Sequence, residues 1–137
     1  MDRDFGHWLA GFIDGEGCFT IVKNRGSWQC NFAISVRSDD GAILIQARDW
    51  LQAGHIFQAP RNQGRNPMVE WRIGSLDDCL ALIQLLDECP LRAKKAADYR
   101  IWREAIFAKQ ESDNRKIGSL AQVLKAGRAY KLASSPW

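Results

Sequence analysis

Two runs of strict alternation, Cys18 to Asn24 and Gln29 to Arg37, stand on either side of Arg25-Gly26-Ser27. A side-chain period of two belongs to extended chain, and a glycine-bearing turn between two such runs joins them into a β-hairpin. In the first run Phe19 and Ile21 take one side and Thr20, Val22 and Asn24 the other. In the second, Cys30, Phe32, Ile34 and Val36 point inward and Gln29, Asn31, Ala33, Ser35 and Arg37 outward. One face must be covered, and the other is polar without a single carboxylate. A hairpin of this kind is stable only as part of a sheet whose apolar side is roofed by other elements.

The rest of the chain supplies that roof. Residues 4 to 14 read as a helix with Asp4 as N-cap and Leu9, Phe12 and Ile13 as its apolar stripe. Asp39 or Asp40 opens a second helix to about Gln52, with Ile43, Leu44, Ala47, Trp50 and Leu51 buried. A short strand at 54–58 and a strand at 68–74 follow, separated by the polar, basic loop from Pro60 to Pro67. In the later strand Val69, Trp71 and Ile73 face in and Met68, Glu70 and Arg72 out. Ser75-Leu76-Asp77-Asp78 resembles a capping box for a helix to about Glu88 that buries Leu76, Leu80, Ile83 and Leu86. A longer helix runs from Arg92 to about Glu111 with Tyr99, Trp102, Ile106 and Phe107, then a linker at 112–118 and a short helix capped by Ser119. The order α-β-β-α-β-β-α plus a C-terminal helix makes an α+β layer, expected as one domain over residues 1–137.

Composition removes several classes of function. No apolar run reaches the length of a membrane span, and Met1-Asp2-Arg3-Asp4 lacks a signal-peptide layout, so the expected home is intracellular. Cys18, Cys30, Cys79 and Cys89 form no C-x-x-C pair and are read as reduced, small core or half-buried residues. No phosphate loop, nucleophile elbow or histidine-based site is present, which argues against a metabolic enzyme. The net charge is only +3, but it is unevenly spread. Residues 17–37 carry Lys23, Arg25 and Arg37 without an acid, residues 61–72 carry Arg61, Arg65 and Arg72 against Glu70, and residues 77–88 hold four acids and no base. A basic side opposite an acidic one suits a protein that lays one face on a polyanion.

The chemistry collects at Leu9-Ala10-Gly11-Phe12-Ile13-Asp14-Gly15-Glu16-Gly17. Gly11 and Gly15 are four residues apart on one helical face, and each weakens a helix by roughly 1 kcal/mol relative to alanine. The pair makes sense where a second backbone comes close. Asp14 and Glu16 stand at the helix C-terminus, where the dipole disfavours negative charge and a cation is wanted. The nine residues resemble the signature of the LAGLIDADG homing endonucleases. Leu9-Ala10-Gly11, Ile13-Asp14 and Gly17 match letter for letter, Phe12, Gly15 and Glu16 are mild substitutions, and Gly-Glu-Gly-Cys-Phe at 15–19 is a familiar variant. One copy of the signature is present and there is no internal repeat.

The resemblance, which extends over roughly residues 5 to 110, implies a site-specific endonuclease that makes a double-strand break in a long pseudo-palindromic DNA target, as in intron homing. Single-signature members pair through the signature helix, which implies a homodimer with Gly11, Gly15 and Asp14 at its interface and a target of two half-sites. The acid closing the signature holds a divalent metal, here Glu16 with a contribution from the Gly15 carbonyl, and hard oxygen ligands favour Mg²⁺. Glutamate in place of aspartate adds a methylene at that position. A basic residue near the scissile phosphate falls at Lys95 or Lys94, and the polar residue that often positions water falls at Ser38 or Asp39 and is left without a role. Base readout is expected from Thr20, Asn24, Gln29, Asn31, Ser35, Arg37, Glu70 and Arg72, with Arg25, Arg61 and Arg65 on phosphates. The same fold also serves as an RNA-splicing cofactor, and a non-cleaving DNA-binding regulator is a further alternative. Glu16 and the lysines favour cleavage. Bacterial cytoplasm and organelle both remain open as the compartment.

Overall fold

The computed structural model describes residues 2–59 and 66–133, the side chains of 59 and 128–133 excepted. Arg61 and Arg65 lie outside the described residues. Helix α1 (Arg3–Glu16) leads into the hairpin β1 (Cys18–Asn24) and β2 (Ser27–Arg37). A 3₁₀ turn (Ser38–Asp40), α2 (Ala42–Leu51), β3 (His55–Ala59) and β4 (Met68–Ile73) follow, then α3 (Leu76–Glu88), α4 (Lys95–Gln110) and α5 (Asn114–Ala133). The four strands form one antiparallel sheet in the order β1-β2-β4-β3. The expected α+β layering is what the chain adopts.

The hairpin closes through Arg25 and Gly26, both at positive φ (51° and 80°), with Asn24 paired directly to Ser27. A two-residue loop of this kind carries the twist of the flanking strands into the turn. The predicted alternation fixes the core. Phe19, Cys30, Phe32, Ile34, Val69, Trp71 and Ile73 are buried on one face of the sheet beneath the helices. Phe19 packs its ring against Phe32, Tyr99 and Trp102, and Phe32 meets Trp71 edge-on. Fully buried Trp71 and Trp102 each remove on the order of 4–6 kcal/mol worth of apolar surface from water.

Several local expectations need correction. The cap of α1 is Asp2, whose carboxylate accepts from the Asp4 and Phe5 amides, so Asp4 sits inside the first turn. Neither Asp39 nor Asp40 caps α2. The Ser38 amide bonds to the Pro67 carbonyl, the Gly41 amide closes 38–40 into a tight turn on the Ser38 carbonyl, and Gly41 precedes the helix without a side-chain cap. Ser75 does accept the Asp78 amide, but the Asp78 carboxylate turns to the Gly54 amide instead of completing the box. The buried face of α3 is Cys79, Leu82, Ile83, Leu85 and Leu86; Leu76 is exposed and Leu80 half-buried. Cys18 is exposed, and the other three cysteines are buried as free thiols.

The largest revision is at the C-terminal end. The predicted linker is the first part of α5, capped by Asp113 through the Lys116 amide after Ser112 reverses the chain at φ 56°. Gly118, the last residue of that expected linker, lies in the helix against the Trp28 indole, where a β-carbon would come within 3.3 Å. Ser119 is an interior residue donating to the Arg115 carbonyl. On α3 and α4, Asp87 accepts from both Tyr99 and Arg103; the arginine's hydrogen bonds hold its carboxyl below the usual range.

Candidate functional site

The outward face of the sheet follows from the strand register. Thr20 pairs with Asn31, Val22 with Gln29 and Cys18 with Ala33. Ala33 in turn pairs with Arg72, and Ser35 with Glu70. Directly paired residues share a face, so the side chains predicted to read bases lie together by construction. Thr20, Asn31, Ser35, Glu70 and Arg72 line one open groove, and Glu16 from the end of α1 stands at its edge. Arg37 instead lines the adjoining groove with Phe12, Asp39 and Ile43, which Glu16 and Ser35 also border. Asn24, Arg25 and Gln29 are exposed at the far end of the hairpin.

Some of this polar surface is already internally paired. Glu70 accepts from the Ser35 hydroxyl at 3.3 Å and meets the Arg72 guanidinium at 3.1 Å, and Arg37 lies 3.5 Å from Asp39. These exposed pairs are worth little to stability. Their effect is to set the side chains in a defined row before any ligand arrives. The sequence reading missed two members of the face. His55 pairs with Arg72 and Phe57 with Glu70, so both edge-strand side chains stand outward, and both are exposed. The signal was present in the alternation of His55 and Phe57 with Ile56, but that five-residue strand was read without assigning its faces.

At the other end of the face, α1 and the segment before α4 are tied in both directions. Asp14 accepts from the Arg92 amide at 2.7 Å and from the Ala93 amide at 3.0 and 3.1 Å. α4 begins at Lys95 and not at Arg92, and the Arg92 and Ala93 amides that precede it are taken up by Asp14. Returning the tie, the Lys95 ammonium donates to the carbonyl of Gly17, the residue after Glu16. That bond fixes the Lys95 ammonium on the residue that follows Glu16, although Lys95 lines neither of the grooves that Glu16 borders; Lys94 is exposed one position earlier. Asp14 is half-buried and its oxygens serve its own chain, at the margin of the exposed strip that holds Gly11 and Gly15. A β-carbon at Gly11 or Gly15 would touch nothing within 4 Å.

The Asp14 tie yields an expected result. Hydrogen bonds from backbone amides to a carboxylate are stronger than neutral ones, and losing them leaves two donors unpaired. Asp14→Ala is expected to destabilise the fold by about 2 kcal/mol, measured by denaturant unfolding. A change of only a few tenths would show that water replaces the carboxylate without cost.

The donor set also bears on metal binding. Among the described residues no group of three or more His, Cys, Asp or Glu could hold a metal ion. What the site offers is one exposed hard carboxylate, Glu16, beside the last carbonyls of α1, which a helix leaves without intrahelical partners. That set fits an oxygen-preferring divalent cation whose remaining ligands come from outside the chain, and does not fit a closed zinc site.

Comparison with known proteins follows the same outline. A family model described as LAGLIDADG endonuclease matches residues 9–106. A probable intron-encoded endonuclease 3 of Neurospora crassa is 27% identical over 136 residues, covering 93% of this chain and 25% of the relative. An uncharacterized 50.9 kDa protein in ND4 intron 1 of Podospora anserina is 31% identical over 108 residues, covering 72% of this chain and 23% of that protein. Among solved structures, the LAGLIDADG meganuclease I-AabMI bound to uncleaved DNA superposes with a TM-score of 0.77 at 34% identity, over 93% of this chain and 48% of that one. The homing endonuclease I-TnaI shares the fold with a TM-score of 0.75 at 21% identity, over 91% and 96%. The chain thus spans about a quarter of the curated relatives and about half of the I-AabMI chain.

Proposed function

The chain belongs to the LAGLIDADG endonuclease family, and from that premise we propose that it is a site-specific endonuclease hydrolysing phosphodiesters in double-stranded DNA with Mg²⁺. The observation that carries this reading is spatial: the polar, register-set sheet face and the exposed Glu16 line one groove, and Lys95 is anchored on the carbonyl of Gly17, the next residue. Asn31, Gln29 and Arg72 offer the paired donors and acceptors that distinguish base edges in the major groove. Arg25, Arg61 and Arg65 are proposed for backbone phosphates, which position the duplex without reading it.

In this reading Glu16, with the Gly15 carbonyl, holds the cation, which when bound supplies an activated water and neutralises charge building on the phosphate. The chain's own groups do the rest. Lys95, anchored on the Gly17 carbonyl, presents a fixed positive charge where the pentacoordinate phosphate gains negative charge, and Lys94 is the alternative. Asp14 keeps that lysine and Glu16 in one frame by fixing the segment before α4 to the end of α1. The sheet face holds the duplex so that the scissile bond lies at the Glu16 edge.

Cutting both strands needs two such edges. The strip through Gly11 and Gly15 leaves room for the backbone of a second helix, and we place a second copy of α1 there, related by a two-fold axis. The expected target is then nearly palindromic. Gly11→Leu separates fold from assembly. It is expected to stabilise α1 by up to about 1 kcal/mol, since glycine is the poorer helix former, while abolishing pairing. Sedimentation of the 137-residue chain beside a thermal melt checks both; an unchanged mass would remove this face from the interface.

The function itself is tested with a pool of randomised pseudo-palindromic duplexes in Mg²⁺ and in Ca²⁺. Paired double-strand cuts in Mg²⁺ are expected, at a site that the pool itself reveals. Binding without a cut in either metal would overturn the nuclease and leave a binding role, to DNA or to RNA. The relatives are described as intron-encoded, and we propose an intracellular, DNA-containing compartment, bacterial or organellar, as the place of action. No described helix is long and apolar enough to cross a membrane.

A further inference from the structure

Phe57 is the largest apolar side chain on a face that is mostly polar, the other exposed large one being Val22 on β1 among the described residues. It is 50% exposed, stands on edge strand β3 directly opposite Glu70, and among the described residues has the tilted His55 ring, 6.3 Å away, as its one aromatic neighbour. Single exposed apolar residues are common and by themselves call for nothing. Here packing does not force the choice, because Ile56 is the residue of this strand that turns toward the core. A polar side chain at 57 would have served the fold as well. The neighbours in register also restrict what this spot can meet. Glu70, set between Ser35 and Arg72, repels a phosphate and accepts from an exocyclic amino group. The row formed by Ser35, Glu70 and Phe57 therefore suits base edges and not the sugar–phosphate backbone.

On base edges in the major groove the apolar group is the 5-methyl of thymine. We propose that Phe57 is a specificity-determining residue that selects a thymine in each half-site by covering that methyl group, next to the base pair addressed by Glu70. This rests on the duplex-DNA reading given above and extends it to one residue and one base. The spacing agrees: directly opposed cross-strand β-carbons are about 5 Å apart, close enough to serve neighbouring base pairs stacked about 3.4 Å apart.

The test removes the methyl and nothing else. Duplexes are recovered from a randomised pool with the wild-type chain, and the preferred site is resynthesised with each thymine replaced singly by deoxyuridine, which keeps every hydrogen-bonding group. Wild type is expected to bind about three- to tenfold more weakly at one position per half-site. Phe57→Ala is expected to be indifferent to that replacement, and Phe57→Leu to keep most of the discrimination; thermal melts confirm that folded proteins are compared. The proposal is overturned if wild type tolerates uracil at every thymine, if the half-site has no thymine, or if Phe57→Ala still discriminates. Recovery of no preferred duplex by wild type would instead sink the DNA reading on which the proposal depends.

Discussion

Glu16→Gln is expected to lower the rate of strand cleavage by about a hundredfold to a thousandfold while leaving target affinity within a few fold. The substitution is nearly isosteric and the side chain is exposed, so neither packing nor the fold is at issue. What changes is charge. Asp14 is committed to the Arg92 and Ala93 amides, and no cluster of alternative acids exists among the described residues. Asp39 and Glu70 border the same grooves but are paired with Arg37 and Arg72, so on the proposed reading neither takes the place of Glu16 as an anionic ligand. Single-turnover cleavage of the selected duplex in Mg²⁺, paired with a mobility shift in Ca²⁺, separates the two effects. Equal losses of binding and cleavage would move Glu16 from the chemistry to the DNA contacts, and an unimpaired rate would remove it from the site.

The second large effect falls one residue later. Gly17→Ala is expected to destabilise the protein by about 2–3 kcal/mol, lowering the melting temperature by roughly 10 °C. A β-carbon there would lie 2.7 Å from the Ile13 carbonyl oxygen and 3.0 Å from both Ile13 Cγ2 and Phe32 Cε1. None of these is a flexible tip. The carbonyl accepts the Gly17 amide at 2.8 Å, and Phe32 is fully buried against Phe19 and Trp71. The backbone at Gly17 is ordinary extended chain (φ −73°, ψ 155°), so the requirement for glycine is steric and not conformational. Alanine at Gly127, where a β-carbon would meet nothing within 4 Å, provides the control. A melt within about a degree of wild type would show that the strand can slide away from α1 at no cost.

Much of this was legible in the sequence, and the pattern of misses has physical causes. Period-two alternation from Cys18 to Arg37 determines which side chains share a face, because a strand has only two, and strand register did the rest. The pairing of Lys95 with Gly17, and of Asp14 with Arg92, joins residues about 80 positions apart, which no local pattern encodes. Caps were displaced where a competing acceptor or donor existed: Asp2 precedes Asp4, and Asp78 is drawn away to Gly54. The expected linker at 112–118 ends on Gly118, and a glycine in a linker and one in a helix that admits a neighbouring indole look alike in one dimension. For α3 the apolar residues were too many for periodicity alone to choose the inward stripe, and Leu76 and Leu80 were taken for Cys79 and Leu82.

The alternation along β1, β2 and β4 has a consequence for how such a chain can change. Away from the strand ends, each outward residue is flanked on both sides by inward ones that carry the stability, and Glu16 and Lys95 hang from helix ends, not from the strands. On the proposed reading, substitutions at Gln29, Asn31 or Thr20 therefore change the preferred target without disturbing the interior or Glu16. Ser35, Glu70 and Arg72 are the exception: being bonded to one another, they must be exchanged as a set. A molecule built this way can follow a drifting target in single steps at its periphery, and in one concerted step at its centre.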